Sequence, residues 1–353
     1  MRGRDSVVAW AAVSTRSREI LRLGRKAGDE EAAQRWLRCI ELDDGAEAAR
    51  GAKPGLPAIR LRPYLFYGEY LMARGKAAEA LGYLTWAAAY WPTDPIAQDT
   101  LGRCRMDLKD WAGAISALQR SFELLPDANT AVFLAFSLGR LRRYDERKDW
   151  LLRAIEVDPR HDEAHYNLGG VYARDGDRDA AIEHLRRAVE IDPDYTIAHA
   201  LIGEVYLARV LRRRPEDHHH SDWTHALEHL TRAITLDPRD GWSHLRLASL
   251  HDAQDRDDET EEHYKAAAQR LPDVAIVWSH YGYFLAKLDD HAEAERMLRL
   301  AVSLEPDNED TRYWLGRYLW NIGDYDAGRA ELELADRRGH PTALAWLRHR
   351  EAA

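Results

Sequence analysis

Seven prolines, Pro92, Pro126, Pro159, Pro193, Pro238, Pro272 and Pro306, follow one another at intervals of 34, 33, 34, 45, 34 and 34 positions. A proline lacks a backbone N–H and pushes the residue before it out of the helical region, so each one closes a helix. Stops this regular imply one short unit built repeatedly. Such a chain buries its apolar faces by stacking each unit on the next.

The unit is clearest at residues 162–194, DEAHYNLGGVYARDGDRDAAIEHLRRAVEIDPD. Its spacing predicts two helices around a turn at Asp175-Gly176-Asp177. Leu168, Gly169 and Tyr172 share a face of the first helix; Ala181, Leu185 and Ala188 share the facing side of the second. Gly169 and Ala181 let the backbones approach, and the larger residues fill the seam. Gly176 can take the left-handed conformation that ends a helix, and Asp177 can cap the next. The small residue of the first helix recurs in register as Gly68, Gly102, Ala135, Gly169, Gly203, Ala248, Gly282 and Gly316. That of the second recurs as Ala80, Ala114, Ala181, Ala226 and Ala294. Arg147, Thr260 and Gly328 replace it in three units, where a looser or shifted helix pair is expected.

This pattern resembles the tetratricopeptide repeat family, whose period is about 34 residues, and the resemblance covers most of the chain. It implies an all-α, right-handed superhelical solenoid of helix-turn-helix repeats whose first helices line a concave groove. A degenerate N-terminal repeat or cap is expected over 1–44, where Ala33, Leu37 and Ile40 keep the second-helix spacing. A linker follows over 45–58, broken by Gly45, Gly51, Pro54, Gly55 and Pro57. Eight repeats are expected over 59–340. A capping helix is expected over 341–353, with Leu344, Trp346 and Leu347 covering the last apolar face.

The interval of 45 marks an insertion at about 210–222. Arg212 to Arg214 are expected to extend the first helix as far as Pro215, and Asp222 to cap the second. The added loop reads either as a tolerated surface insertion or as a partner contact or intramolecular plug. His218, His219, His220, His225 and His229 cluster there. His225 and His229 share a helix face, yet consecutive loop histidines set no coordination geometry and no HExxH motif is present, so no metal or cofactor is expected. His165, His199 and His244 form a second series, at one position in successive repeats where Trp278 stands in the next. They read as packing residues whose imidazoles find hydrogen bonds.

The balance of 50 Lys+Arg against 60 Asp+Glu, a net charge of -10, opposes a general nucleic-acid or anionic-membrane surface and leaves protein as the expected partner. Cys39 and Cys104 fall in different units without CxxC spacing, which points to a reducing, cytoplasmic setting. Arg2 and Arg4 precede the apolar run Val7 to Val13 as in a signal peptide, but Asp5 breaks that pattern and the apolar run is short, so no cleaved signal is expected. GxSxG, phosphate-loop and dinucleotide signatures are absent, so no enzyme is expected.

By the family's register, positions on the first helices that point into the groove are Phe66 and Met72; Arg103; Phe133, Phe136 and Arg140; Tyr166, Asn167 and Arg174; Trp242 and Arg246; and His280, Tyr283, Tyr313, Trp314, Arg317 and Trp320. Aromatic and arginine side chains are the usual anchors of a protein interface. Glu69, Asp99, Asp107, Glu163, Glu204, Asp252 and Asp310 intersperse them, so the groove is not a basic stripe. The Lys and Asn pattern by which some family members clamp a terminal carboxylate is absent. The resemblance thus implies a noncatalytic protein-protein interaction scaffold that takes a peptide or helix of a partner protein. The alternative is a regulatory or immunity-type subunit of a larger enzyme or toxin complex, contacting it through the inserted loop.

Overall fold

The turn at Gly176 shows how each hairpin closes. Its φ is +87°, and the Asp177 carboxylate accepts from the backbone N–H of Ala180 at 3.1 Å to start the next helix. Gly75 and Gly323 hold the same place with φ of +72° and +90°. In four other hairpins a residue with a side chain takes the left-handed conformation instead: Lys109, Arg142, Asp255 and Asp289, at φ of 61°, 60°, 53° and 61°. The turn geometry therefore survives without its glycine, at a conformational cost.

The computed structural model describes residues 62–212 and 220–351, together with Glu30, Ala32, Ala33, Gln34, Trp36, Leu37 and Ile40. Among the described residues every regular element is an α-helix. In chain order these are α1 (Arg62–Ala73), α2 (Ala77–Tyr90), α3 (Pro95–Asp107), α4 (Trp111–Leu124), α5 (Ala128–Arg140), α6 (Tyr144–Val157), α7 (Asp162–Asp175), α8 (Arg178–Ile191), α9 (Thr196–Arg212), α10 (His220–Leu236), α11 (Gly241–Asp252), α12 (Asp257–Arg270), α13 (Ala275–Lys287), α14 (His291–Leu304), α15 (Glu309–Asn321), α16 (Tyr325–Arg337) and α17 (Ala343–Glu351). Each odd helix up to α15 pairs with the even helix that follows it. The expected linker, most of the N-terminal repeat, Cys39 and residues 213–219 of the insertion lie outside the described residues.

The helix pairs approach through glycine. A Cβ on Gly102 or Gly203 would sit 2.5 Å from Cγ of Leu118 or Leu230, so the leucine of the even helix occupies the space that a side chain on the odd helix would need. In three units a residue other than alanine stands at the close point of the second helix. Thr260 is fully buried and donates its hydroxyl to the Arg256 carbonyl at 2.7 Å. Arg147 lays its side chain along Gly139, whose added Cβ would meet it at 3.1 Å. At Gly328 the pair is tight, not loose: a Cβ there would lie 2.7 Å from the Trp320 nitrogen and 2.9 Å from the Gly316 oxygen.

The chain forms two compact units, Met1–Ala164 and His165–Ala353. In the first, Leu71, Leu84, Leu101 and Cys104 belong to one apolar core, and Ile40 is buried with Tyr64 and Ala87 in a smaller one. In the second, successive cores centre on Leu185 and Ile202, on Phe284 and Leu298, and on Leu332, where Ala343 and Leu347 of α17 are buried. The insertion lengthens both α9 and α10 to 17 residues. Because α10 already begins at His220, Asp222 lies in its first turn and is not its cap; its buried carboxylate is 3.8 Å from Arg209.

Candidate functional site

In the first unit the odd helices α1, α3 and α5 share a hollow of about 370 Å³ lined by Glu69, Met72, Ala73, Arg103, Met106, Asp107 and Phe133. Arg103 pairs with Asp99 at 3.7 Å, one turn earlier on α3. Burial holds the Asp99 carboxyl above its usual range, opposed by Arg103 and by the hydroxyl of Thr130, which donates to it at 3.1 Å. Beside the hollow, Phe136 is 50 % exposed and meets Trp111 edge to face at 5.9 Å, while the Arg140 guanidinium lies 5.4 Å from the same indole. Trp111 opens α4, a helix outside the groove register, so sequence reasoning missed it. Phe66 is placed otherwise than expected: it is buried and packs on Trp36 at 5.4 Å, which makes it a core residue of this unit.

In the second unit the rings of α13 and α15 come together. Trp314 contacts Tyr283 at 4.7 Å and His280 at 6.1 Å. Burial lowers the pKa of His280, keeping its imidazole neutral near pH 7. Arg317 lies 5.3, 5.4 and 5.1 Å from the rings of Tyr283, Tyr313 and Trp314, and 5.5 Å from Trp346 of α17. The cap helix takes part of the expected patch: Tyr313 stacks on His340 at 3.9 Å, and Trp320 meets Trp346 at 6.3 Å. Further along, Trp242 is 43 % exposed at the start of α11, and Arg246 forms an ion pair with Glu204. Tyr166 is half-buried against Tyr195 at 5.3 Å; Asn167 is half-buried; Arg174 is exposed and pairs with Asp175 at 3.1 Å.

A tetratricopeptide repeat family model matches residues 68–129 and 135–196, and a second tetratricopeptide repeat model matches residues 285–347. Together these matches span more than half of the chain. The chain belongs to the tetratricopeptide repeat family. A tetratricopeptide repeat protein from Parabacteroides merdae ATCC 43184 is similar in structure, with a TM-score of 0.58 at 12% identity over 72% of this chain and 97% of that one. A chain of the APC/C hetero-tetramer Cut9-Hcn1 is similar with a TM-score of 0.57 at 13% identity, over 86% of this chain and 57% of that one. At these identities the likeness shows the fold. No curated protein matches the chain in sequence.

Tetratricopeptide repeats are protein-interaction modules, and the coarse role of this chain is that of an interaction scaffold. Among the described residues no helix is long and apolar enough to cross a membrane. Nor do they contain a group of three or more His, Cys, Asp or Glu side chains placed to hold a metal ion. His218 and His219 lie outside those residues, and so does the side chain of His220.

The recurrent histidines are explained by the repeat itself. His165, His199 and His244 are buried, and each sets its Nδ1 against the Nδ1 of a second histidine on the paired helix: His184 at 3.1 Å, His229 at 2.9 Å and His263 at 3.1 Å. Nε2 of His199 also donates to the carbonyl of Pro193 at 3.1 Å. Trp278 and Arg312, at the same repeat position, donate to Pro272 and Pro306 at 2.8 Å each. This position therefore supplies a donor to the proline carbonyl between repeats, a packing role. The second histidine of each pair was not foreseen; its signal is a spacing of 19 positions from the first, lengthened to 30 by the insertion. His225 stacks on Tyr206 at 5.0 Å.

Proposed function

We propose that the chain is a noncatalytic scaffold that takes an extended segment or a helix of another protein on the inner faces of its odd-numbered helices. The observation that carries this reading is the gathering of large rings between odd helices, Tyr283 and His280 of α13 with Trp314 of α15, next to an arginine and short of full burial. Rings of this kind bury much area at little entropic cost, and a preformed surface limits the cost further. Trp242 on α11 offers a further anchor in the same unit. In the first unit Phe136, Trp111 and Arg140 offer a second set beside the hollow on α1, α3 and α5.

The test is a comparison of copurifying proteins between the wild-type chain and a Trp242→Ala/Trp314→Ala double variant in the native host. The expected result is loss of a specific partner from the variant while its circular dichroism and melting transition are kept. Retention of every partner by a folded variant sinks the reading.

A further inference from the structure

Arg317 is a cation surrounded by rings where its neighbours meet carboxylates. In the same unit Arg174 pairs with Asp175, Arg209 with Asp179 and Asp222, Arg246 with Glu204, and Arg312 with Glu331. Lys287 reaches both Asp252 and Asp255. Arg317 has no such partner among the described residues. Its one hydrogen bond runs from an Nη to the Tyr283 hydroxyl at 3.3 Å, and its buried Nε makes none. Four rings, of Tyr283, Tyr313, Trp314 and Trp346, lie within 5.1 to 5.5 Å of the guanidinium carbon.

Cation–π contacts hold a guanidinium in place without cancelling its charge. The rings also keep water away, so a charge-assisted hydrogen bond formed there by a ligand is stronger than one at an open surface. A second cation stands close by: Arg350 of α17 lies 5.4 Å from the other indole of the group, Trp346. We infer that Arg317 is a receptor for one carboxylate side chain, an Asp or Glu of the docked partner segment, with Trp314 and Tyr283 holding an apolar or aromatic side chain beside it. This rests on the docking surface proposed above and specifies one point of its ligand.

The surroundings favour a single carboxylate over a polyanion. Asp310, with its side chain 58 % exposed, stands on α15 itself, and the chain carries a net charge of -10, so a nucleic-acid backbone brought to Arg317 meets more repulsion than one carboxylate side chain does.

The experiment pans a random 12-residue peptide phage library on the full chain. One selected peptide is then synthesised with its Glu or Asp and with the Gln or Asn isostere, and both are titrated against the wild type and Arg317→Gln. The expected result is a carboxylate at fixed spacing from an apolar residue in the selected peptides. Neutralising it should cost about tenfold or more in affinity on the wild type and little on Arg317→Gln, so that the two changes are coupled. On the wild type alone, raising NaCl from 50 to 500 mM should weaken the acidic peptide and spare its isostere; this readout holds even if Arg317→Gln fails to fold. Selected peptides without a carboxylate, equal losses on both proteins, or Arg317-dependent capture of a single-stranded oligonucleotide in place of peptides would overturn the inference alone. If the wild type selects no peptide at all, the docking surface itself falls, and the inference with it.

Discussion

His199 accepts at Nδ1 a hydrogen bond from Nδ1 of His229, at 2.9 Å, because its own proton is committed at Nε2 to the Pro193 carbonyl. Burial, then the neighbouring His199, His225 and Arg186, push the pKa of His229 down to about 4. Burial and Arg270 push that of His244 down to about 4, with Asp240 opposing. His184, His251 and His263 are lowered too, each chiefly by burial.

The sign of the pH dependence follows. The folded pKa values lie below the unfolded value of about 6.5, so as pH falls the unfolded chain takes up protons first. For His229 and His244 the stability is complete above pH 6.5 and is lost progressively from pH 6.5 to 4; the other three change in the same direction. For the buried His244 alone the loss is about 3 kcal/mol across that window. Hydrogen-exchange mass spectrometry, corrected for intrinsic rates, should show α8, α10 and α12 losing protection between pH 7 and 5, with α2 and α4 as internal controls. Equal protection loss in both units would contradict this assignment.

Substitutions at the close helix contacts should separate according to space. Gly203→Ala places a Cβ 2.5 Å from Leu230 and should cost about 1–3 kcal/mol. Gly328→Ala should also destabilise, since backbone atoms stand where its methyl would go. Gly82→Ala, in α2 with nothing within 4 Å, should be neutral or stabilise by about 0.5–1 kcal/mol. Urea denaturation of the three variants tests the ordering.

The left-handed turns carry a correctable cost. Lys109→Gly and Arg142→Gly remove a side chain from φ near +60° and should each stabilise the fold by a net of about 1 kcal/mol or less, since glycine also loses more entropy on folding. Gly176→Ala, at φ +87°, should cost about 1 kcal/mol. Thermal melts of these variants read the difference directly.

Phe66 and Phe136 should respond in opposite ways. Phe66→Ala opens the buried contact with Trp36 and should lose about 3 kcal/mol of stability. Phe136→Ala changes an exposed ring, so it should leave the melting transition within about 0.5 kcal/mol of wild type and weaken capture of a partner docked on the first unit. A Phe136→Ala variant with full partner capture would remove that residue from the surface.

The architecture was legible because it rests on local rules repeated at a fixed period. Gly176 and Asp177 close their hairpin as their residue types require, and Gly102 and Gly203 meet leucines in the register that their spacing announced. The site was legible only in part. Tyr283, Trp314 and Arg317 come together as the register implied, but Phe66 does not stay open, and Trp111 joins Phe136 from a helix the register does not count. Repeat periodicity says which face of a helix a residue occupies and is silent on what an adjacent segment lays over it.

What the amino-acid order alone determined is thus the hairpin, its turn and the partner of each helix, since these depend on contacts within about one repeat length. Only the tertiary structure decided which groove residues remain available, that the recurrent histidines meet in pairs, and that Arg317 is held by rings and not by a carboxylate. Those outcomes depend on side chains brought together from separate helices, such as Trp346 of the cap over Arg317 or Trp36 over Phe66. The histidine pairs form inside single hairpins once the two helices pack, whereas burial by Trp346 or Trp36 is a property of the assembled stack that no single repeat contains.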